Sequence, residues 1–215
     1  ELSLTETALC IRRGLVLEAA VPSAAILNAQ GTCTYSGLVE PFHCQSNFNG
    51  RRVMYINASP PTDTVEIIGL VITGGLAAQG GGAYIVSGSV TFNQCELVGN
   101  IARHRHPHQG GAAFVNGGHV TFVNCNLRAN EARAGGAALF LKNGHMVVRD
   151  SILVSNAGGA ALHTAGISDG LSLELISNTF VDNVLTNGNY YFGCDLDIGL
   201  ALDPGPSYAI NNTFH

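Results

Sequence analysis

Three histidines alternate with arginine and proline in "RHRHPHQ", residues 103 to 109, so His104, His106 and His108 occupy every second position. An extended backbone, which Pro107 favours, sets all three imidazoles on one side. Three imidazoles are enough to hold zinc or copper. Arg103 and Arg105 oppose a cation there, so a solvated corner loop is the competing reading. Two further histidines, His119 and His145, recur at one position of a repeat and read as a stacked pair on a sheet surface. His163 falls near a column of aromatic or aliphatic residues, and His43 lies between two cysteines.

Carboxylates cluster in "CDLDIGLALD", residues 194 to 203, where Asp195 and Asp197 share one face of an extended strand. Paired carboxylates bind calcium or serve as acid and base at a glycosidic bond. On an acidic polysaccharide that chemistry also needs a cation on an adjacent turn. Arg128 and Arg149 are the mid-chain candidates, and no motif links them to Asp195. Asp195 and Asp197 are therefore the catalytic candidates, and a non-catalytic protein is the preferred reading.

Six cysteines are present. Cys33 and Cys44 bracket the irregular "GTCTYSGLVEPFHCQSNFNG", and a disulfide closing that loop would contribute about 3 kcal/mol. Cys95 and Cys125 share a repeat position with Ser151. Side chains stacked in parallel suit a disulfide poorly, so these two read as a buried ladder of small residues. Asn57 in "NAS" and Asn211 in "NNT" are glycosylation candidates. Together these features place the chain outside the cell or in another oxidising lumenal compartment.

Composition narrows the partners. Only 12% of residues are charged and the net charge is −5, with Lys142 the single lysine, so no basic face for nucleic acid exists. No apolar run approaches the roughly 18 residues of a membrane span. The 27 glycines among few charges indicate a rigid body with tight turns.

The elements that must position these residues are repeated. "GGA" begins at Gly81, Gly110, Gly135 and Gly158, and "[LF]xxN" ends at Asn100, Asn130, Asn156 and Asn183. Between the signatures apolar residues alternate, with Val90 and Phe92, then Val120 and Phe122, then Met146 and Val148. A period of two means strands with one face buried. A unit of this size cannot fold alone and must stack on its neighbours about 4.8 Å apart. "TVEIIGLVITGG" puts Val65, Ile67, Leu70 and Ile72 inward, and "ELISNTFVDN" is echoed by "YAINNTF". Seven or eight coils in one domain, residues 1–215, would make a rod of about 35 Å. The spacings imply one corner free to vary, with insertions at 31–50 and 101–109. Asn100, Asn130, Asn156 and Asn183 tolerate left-handed corners and can stack their amides along the rod.

The GGA and [LF]xxN pairing, with "EIIGLVITGG" and "NNTF", resembles the right-handed parallel β-helix of the pectin-lyase-like superfamily. It is most similar to the branch with polymorphic-outer-membrane-type repeats, over about residues 60 to 190. The resemblance implies an all-β, single-stranded parallel β-helix. It leaves activity open, because that superfamily includes lyases, hydrolases, epimerases, adhesins and spacers. The leading expectation is a rigid module without a cofactor, whose loops bind a protein partner, a larger assembly or a surface glycan. The alternatives are a polysaccharide lyase or epimerase acting on uronate polymers, and a metal-binding module through the histidine loop.

Overall fold

The computed structural model describes residues 2–3, 9–31, 50–58, 63–103, 108–165, 170–185, 196–198 and 208–215. Every described element is a strand, and every strand pairing is parallel. The strands line up in four walls. Wall one runs through Leu9–Ile11, Met54–Asn57, Ala83–Ser87, Ala113–Val115, Leu139–Leu141, Leu162–Thr164 and Leu196–Ile198. Wall two follows it in each coil, from Leu15–Glu18 through Ser89–Asn93 and His119–Val123 to Tyr208–Ile210. Wall three extends from Leu2–Ser3 through Glu96–Val98 and Asn126–Arg128 to Thr213–Phe214. Wall four is the short one, Leu76–Ala77, Ile101–Ala102, Glu131–Ala132, Ala157–Gly158 and Val184–Leu185. The architecture is a parallel β-solenoid.

Its four-walled part is shorter than seven or eight coils. From Leu76–Ala77 to Val184–Leu185 the chain makes four turns with every wall present. Beyond them wall four is missing among the described residues.

Alternation explains the core. Val65, Val90, Val120, Met146 and Leu173 form one buried column of wall two, and Ile67, Phe92, Phe122, Val148 and Leu175 form another. Phe92 stacks on Phe122 at 4.8 Å and 6°. On wall three the same stacking carries Leu97, Leu127, Leu153, Phe180 and Phe214, with Phe180 and Phe214 4.8 Å apart.

The corners differ in kind. Residues 74–75, 99–100, 129–130, 155–156 and 182–183 join wall three to wall four, always as a pair. In each pair the first residue takes a positive φ, from Gly74 at 68° to Asp182 at 50°. The second residue is Gly75, Asn100, Asn130, Asn156 or Asn183. The left-handed position therefore belongs to the residue before each asparagine, which corrects the sequence expectation. An αL residue turns the chain, so the next side chain can point inward.

From Leu76 onward variation is confined to two corners rather than one. In the first coils the corner between walls two and three varies as well, six residues at 19–24 against Gly69 alone. Residues 4–8, 32–49, 104–107 and 186–195 all precede a wall-one strand, and 59–62, 166–169 and 199–207 all follow one. Every connection between walls two, three and four lies within the described residues. From Leu76 onward only wall one has connections of varying length on both sides.

Candidate functional site: the outer face of wall one

Odd positions of the wall-one strands face the core, as with Ala83 and Ile85 or Ala113 and Val115. The even positions form an outer column. Register places Cys10, Tyr55, Tyr84, Phe114, Phe140, His163 and Asp197 one above another. The rings stack along it: Tyr55 on Tyr84 at 5.8 Å, Tyr84 on Phe114 at 5.1 Å, Phe114 on Phe140 at 5.2 Å, and Phe140 on His163 at 4.9 Å. Phe114 and Phe140 are buried although they point away from the core. The corner before wall one folds over them: a Cβ at Gly136 would approach that of Phe140 to 2.8 Å, and one at Gly135 would lie 3.1 Å from the His163 ring.

Toward the first coils this cover thins. Tyr55 and Tyr84 are half-buried and Cys10 is exposed. The Arg52 guanidinium lies over the Tyr84 ring at 4.6 Å and near Tyr55 at 5.9 Å, and donates to the Gln79 carbonyl at 2.9 Å. Burial lowers the Arg52 pKa, against the raising effect of Tyr84, Tyr55 and Cys10. Burial likewise raises Tyr84, and Arg52 partly offsets it.

Of the predicted metal ligands, His104 and His106 lie outside the described residues. His108 is buried, with a positive φ of 53°. Among the described residues no group of three or more His, Cys, Asp or Glu could hold a metal ion. Asp195 also lies outside, whereas Asp197 takes its place in wall one beside His163. Arg128 and Arg149 stand on other walls and are engaged, Arg128 with Glu96 across two coils and Arg149 with Asp150 at 3.4 Å. Cys33, Cys44, Cys194 and His43 lie outside the described residues. Asn57 is half-buried and accepts from the Ser87 hydroxyl at 2.8 Å, and Asn211 is exposed at a corner with φ 54°.

His119 and His145 pair on the outer face of wall two, 5.5 Å apart and tilted by 52°. Sequence reading missed what joins them: His145 Nδ1 contacts the Ser172 hydroxyl, and His145 Nε2 lies 3.6 Å from Glu174 Oε1. Ser172 and Glu174 sit two apart on the next rung, so the register would have revealed them.

The two ladders are structural. Asn100, Asn130 and Asn156 are wholly buried, and each Nδ2 donates to a wall-three carbonyl of the preceding coil, Ile72, Leu97 and Leu127 in turn. Cys95 and Cys125 open a second ladder at the corner between walls two and three. Cys95 Sγ reaches the Ile67 carbonyl at 3.2 Å, and Cys125 Sγ reaches the Phe92 carbonyl at 3.3 Å. Ser151 follows, then Asn178 and Asn212, whose Nδ2 atoms donate to Val148 and Leu175. Thiol and amide serve one role, to cap a carbonyl of the preceding coil, whereas the Ser151 hydroxyl donates to the Arg149 carbonyl of its own coil and accepts from the Cys125 N–H at 3.0 Å.

No helix among the described residues is long and apolar enough to cross a membrane. No family model matches the chain, and neither a curated protein nor a solved structure does.

Proposed function

We propose that this chain is a non-catalytic binding module whose wall-one side meets its partner, working outside the cell or in an oxidising lumen. We further infer kinship with the pectin-lyase-like β-helices carrying polymorphic-outer-membrane-type repeats. The kinship rests on motifs that now have mechanical roles. The Leu or Phe of [LF]xxN fills wall three, its Asn builds the amide ladder, and the glycine pairs open the turn into wall one.

One observation carries the functional reading: from Leu76 onward the connections vary in length only at the two corners flanking wall one, while the other corners keep two-residue turns. Loops tolerate change where they do not hold the core, and binding surfaces are drawn from them. The mid-rod cations a uronate lyase would use are tied to Glu96 and Asp150 on other walls, which favours binding over chemistry.

The test replaces residues 104–107, and separately 166–169, with the shorter corner of the following or preceding coil. Extracellular material captured by each variant is then compared by mass spectrometry. Loss of a captured partner with an unchanged melting curve supports the reading. Capture that ignores both replacements, or release of unsaturated products from a uronate polymer, overturns it. Micromolar zinc binding that vanishes on His104→Ala would move the assignment to the metal-binding alternative.

A further inference from the structure

Register brings together two arginine pairs that lie far apart in sequence. Arg12 and Arg13 leave wall one directly after Leu9–Ile11, and Arg51 and Arg52 enter it directly before Met54–Asn57. Leu9 pairs with Met54 and Ile11 with Ile56, so the pairs sit at opposite ends of adjacent rungs. At about 3.3 Å per residue their nearest members, Arg12 and Arg52, are separated by about 17 Å along the strands, with Cys10, Tyr55 and Tyr84 between the pairs.

These four differ from Arg103, Arg128 and Arg149 farther along the rod. Arg103 pairs with Glu131, Arg128 with Glu96 and Arg149 with Asp150. None of Arg12, Arg13, Arg51 and Arg52 has a carboxylate within 4.0 Å among the described residues. The carboxylate of Asp63, beside this corner, is occupied by the Gly14 N–H at 3.0 Å. Arg52 also holds a buried Nε without a hydrogen-bond partner. In a chain of net charge −5, two adjacent rungs thus carry four cations without an ion pair among the described residues.

We propose that the outer face of the first two wall-one rungs binds an acidic protein segment, clamped by Arg12 and Arg13 on one side and Arg51 and Arg52 on the other. This rests on the reading of wall one as the binding side. Guanidinium groups take carboxylates bidentately, and tyrosine and arginine are both enriched among the residues that carry most of the binding energy at protein interfaces. A sugar platform needs an open ring face. Tyr55 and Tyr84 are stacked on one another at 11°, Tyr84 is stacked on Phe114, and Arg52 covers both tyrosines. What remains is ring edges, phenol hydroxyls and guanidinium N–H groups, which suits an extended peptide with spaced carboxylates better than a pyranose.

Fluorescence anisotropy of a labelled oligoglutamate peptide on the whole chain tests this, with oligolysine and heparin oligosaccharides run alongside. Oligoglutamate is expected to bind and to weaken as salt rises toward physiological strength. Arg12→Gln with Arg13→Gln, both exposed and outside the core, should weaken it at least about tenfold. Arg128→Gln should leave it unchanged. Arg51→Gln with Arg52→Gln, checked by its melting curve, should repeat the loss. Heparin binding more tightly than oligoglutamate, equal binding by all arginine variants, or no binding of either polyanion overturns the proposal. Loop-dependent capture of a partner that survives all four arginine substitutions would sink this inference alone. Capture insensitive to the loops would sink the wider reading.

Discussion

The side-chain carbonyl of Asn130 accepts two hydrogen bonds from Asn100 on the preceding coil, from its backbone N–H at 3.0 Å and its Nδ2 at 3.2 Å. Asn130 in turn donates to the Leu97 carbonyl at 2.8 Å and to Asn156 Oδ1 at 3.1 Å. All three asparagines are excluded from water. Replacing Asn130 with Ala leaves two donors and a carbonyl unmet in the interior. The cost should be about 3 kcal/mol, because a buried unsatisfied group costs about 1–3 kcal/mol and relaxation recovers part of the sum. Urea unfolding would show a lower midpoint at unchanged slope.

The residue before that asparagine offers the opposite change. Ala129 holds φ at 51°, while its counterpart on the preceding coil is Gly99 at 63°. A left-handed residue with a Cβ costs about 1–2 kcal/mol, and glycine returns part of that gain as chain entropy. Ala129→Gly should therefore raise stability by up to about 1 kcal/mol, and Gly99→Ala should lower it by a similar amount. Gly99 has open space, with nothing nearer than Thr73 Oγ1 at 3.8 Å, so only its dihedral is at stake. Thermal melts of the two variants should move in opposite directions.

Gly75 separates close approach from dihedral strain. It replaces asparagine at the ladder position of its coil, and a Cβ there would lie 1.9 Å from the Gly81 carbonyl oxygen. Its N–H donates to Asn100 Oδ1 at 3.1 Å, so the backbone cannot withdraw without breaking the ladder. Gly75→Ala should cost well over the roughly 1 kcal/mol of an ordinary glycine replacement. A melting temperature equal to that of Gly99→Ala would refute the distinction.

The walls were legible in the sequence because a period of two, repeated with the same inward residue types, has few other solutions. Phe92 over Phe122 and Phe180 over Phe214 could be aligned from spacing alone. The second ladder was legible only in part. Cys95, Cys125 and Ser151 share a position, but Asn178 and Asn212 continue it with another functional group, and their place in one ladder appears only when the cross-coil hydrogen bond each one makes is seen. The arginine quartet was not legible at all. Thirty-seven residues separate Arg13 from Arg51, and only the pairing of Leu9–Ile11 with Met54–Ile56 makes them neighbours. The second variable corner was hidden because the first three units differ by only one residue each between GGA and the ladder asparagine, and the longer connections after wall one lie before and after them.

Thiol accessibility should follow the column positions. Cys10 is exposed, whereas Cys95 and Cys125 are each 2% exposed. Alkylation under native conditions, followed by peptide mass mapping, should mark Cys10 well before Cys95 or Cys125. Marking of Cys95 and Cys125 should track global unfolding across a urea series, because both lie in the core that opens last. Early marking of Cys125 would mean that the corner between walls two and three opens locally.

The same pair makes stability depend on alkaline pH. The interaction between the two thiols lowers the Cys95 pKa, whereas the same interaction, then burial, raises that of Cys125 well above the ordinary thiol value of 9.0. In the unfolded chain that thiol ionises near its ordinary value, while in the folded chain it keeps its proton. Above that value the unfolded state binds fewer protons, so unfolding becomes more favourable as pH rises. The contribution is complete below pH 9 and is lost as pH climbs through the raised folded value. Cys125→Ser removes the titrating group, and Ser151 shows that a hydroxyl fits the column, donating to the Arg149 carbonyl at 2.8 Å. The difference in stability between the variant and the parent should be constant from neutral pH to about 8 and then shift in favour of the variant. Urea midpoints taken in steps across that range, running parallel for the two proteins throughout, would show that the thiol is not held protonated by its neighbours.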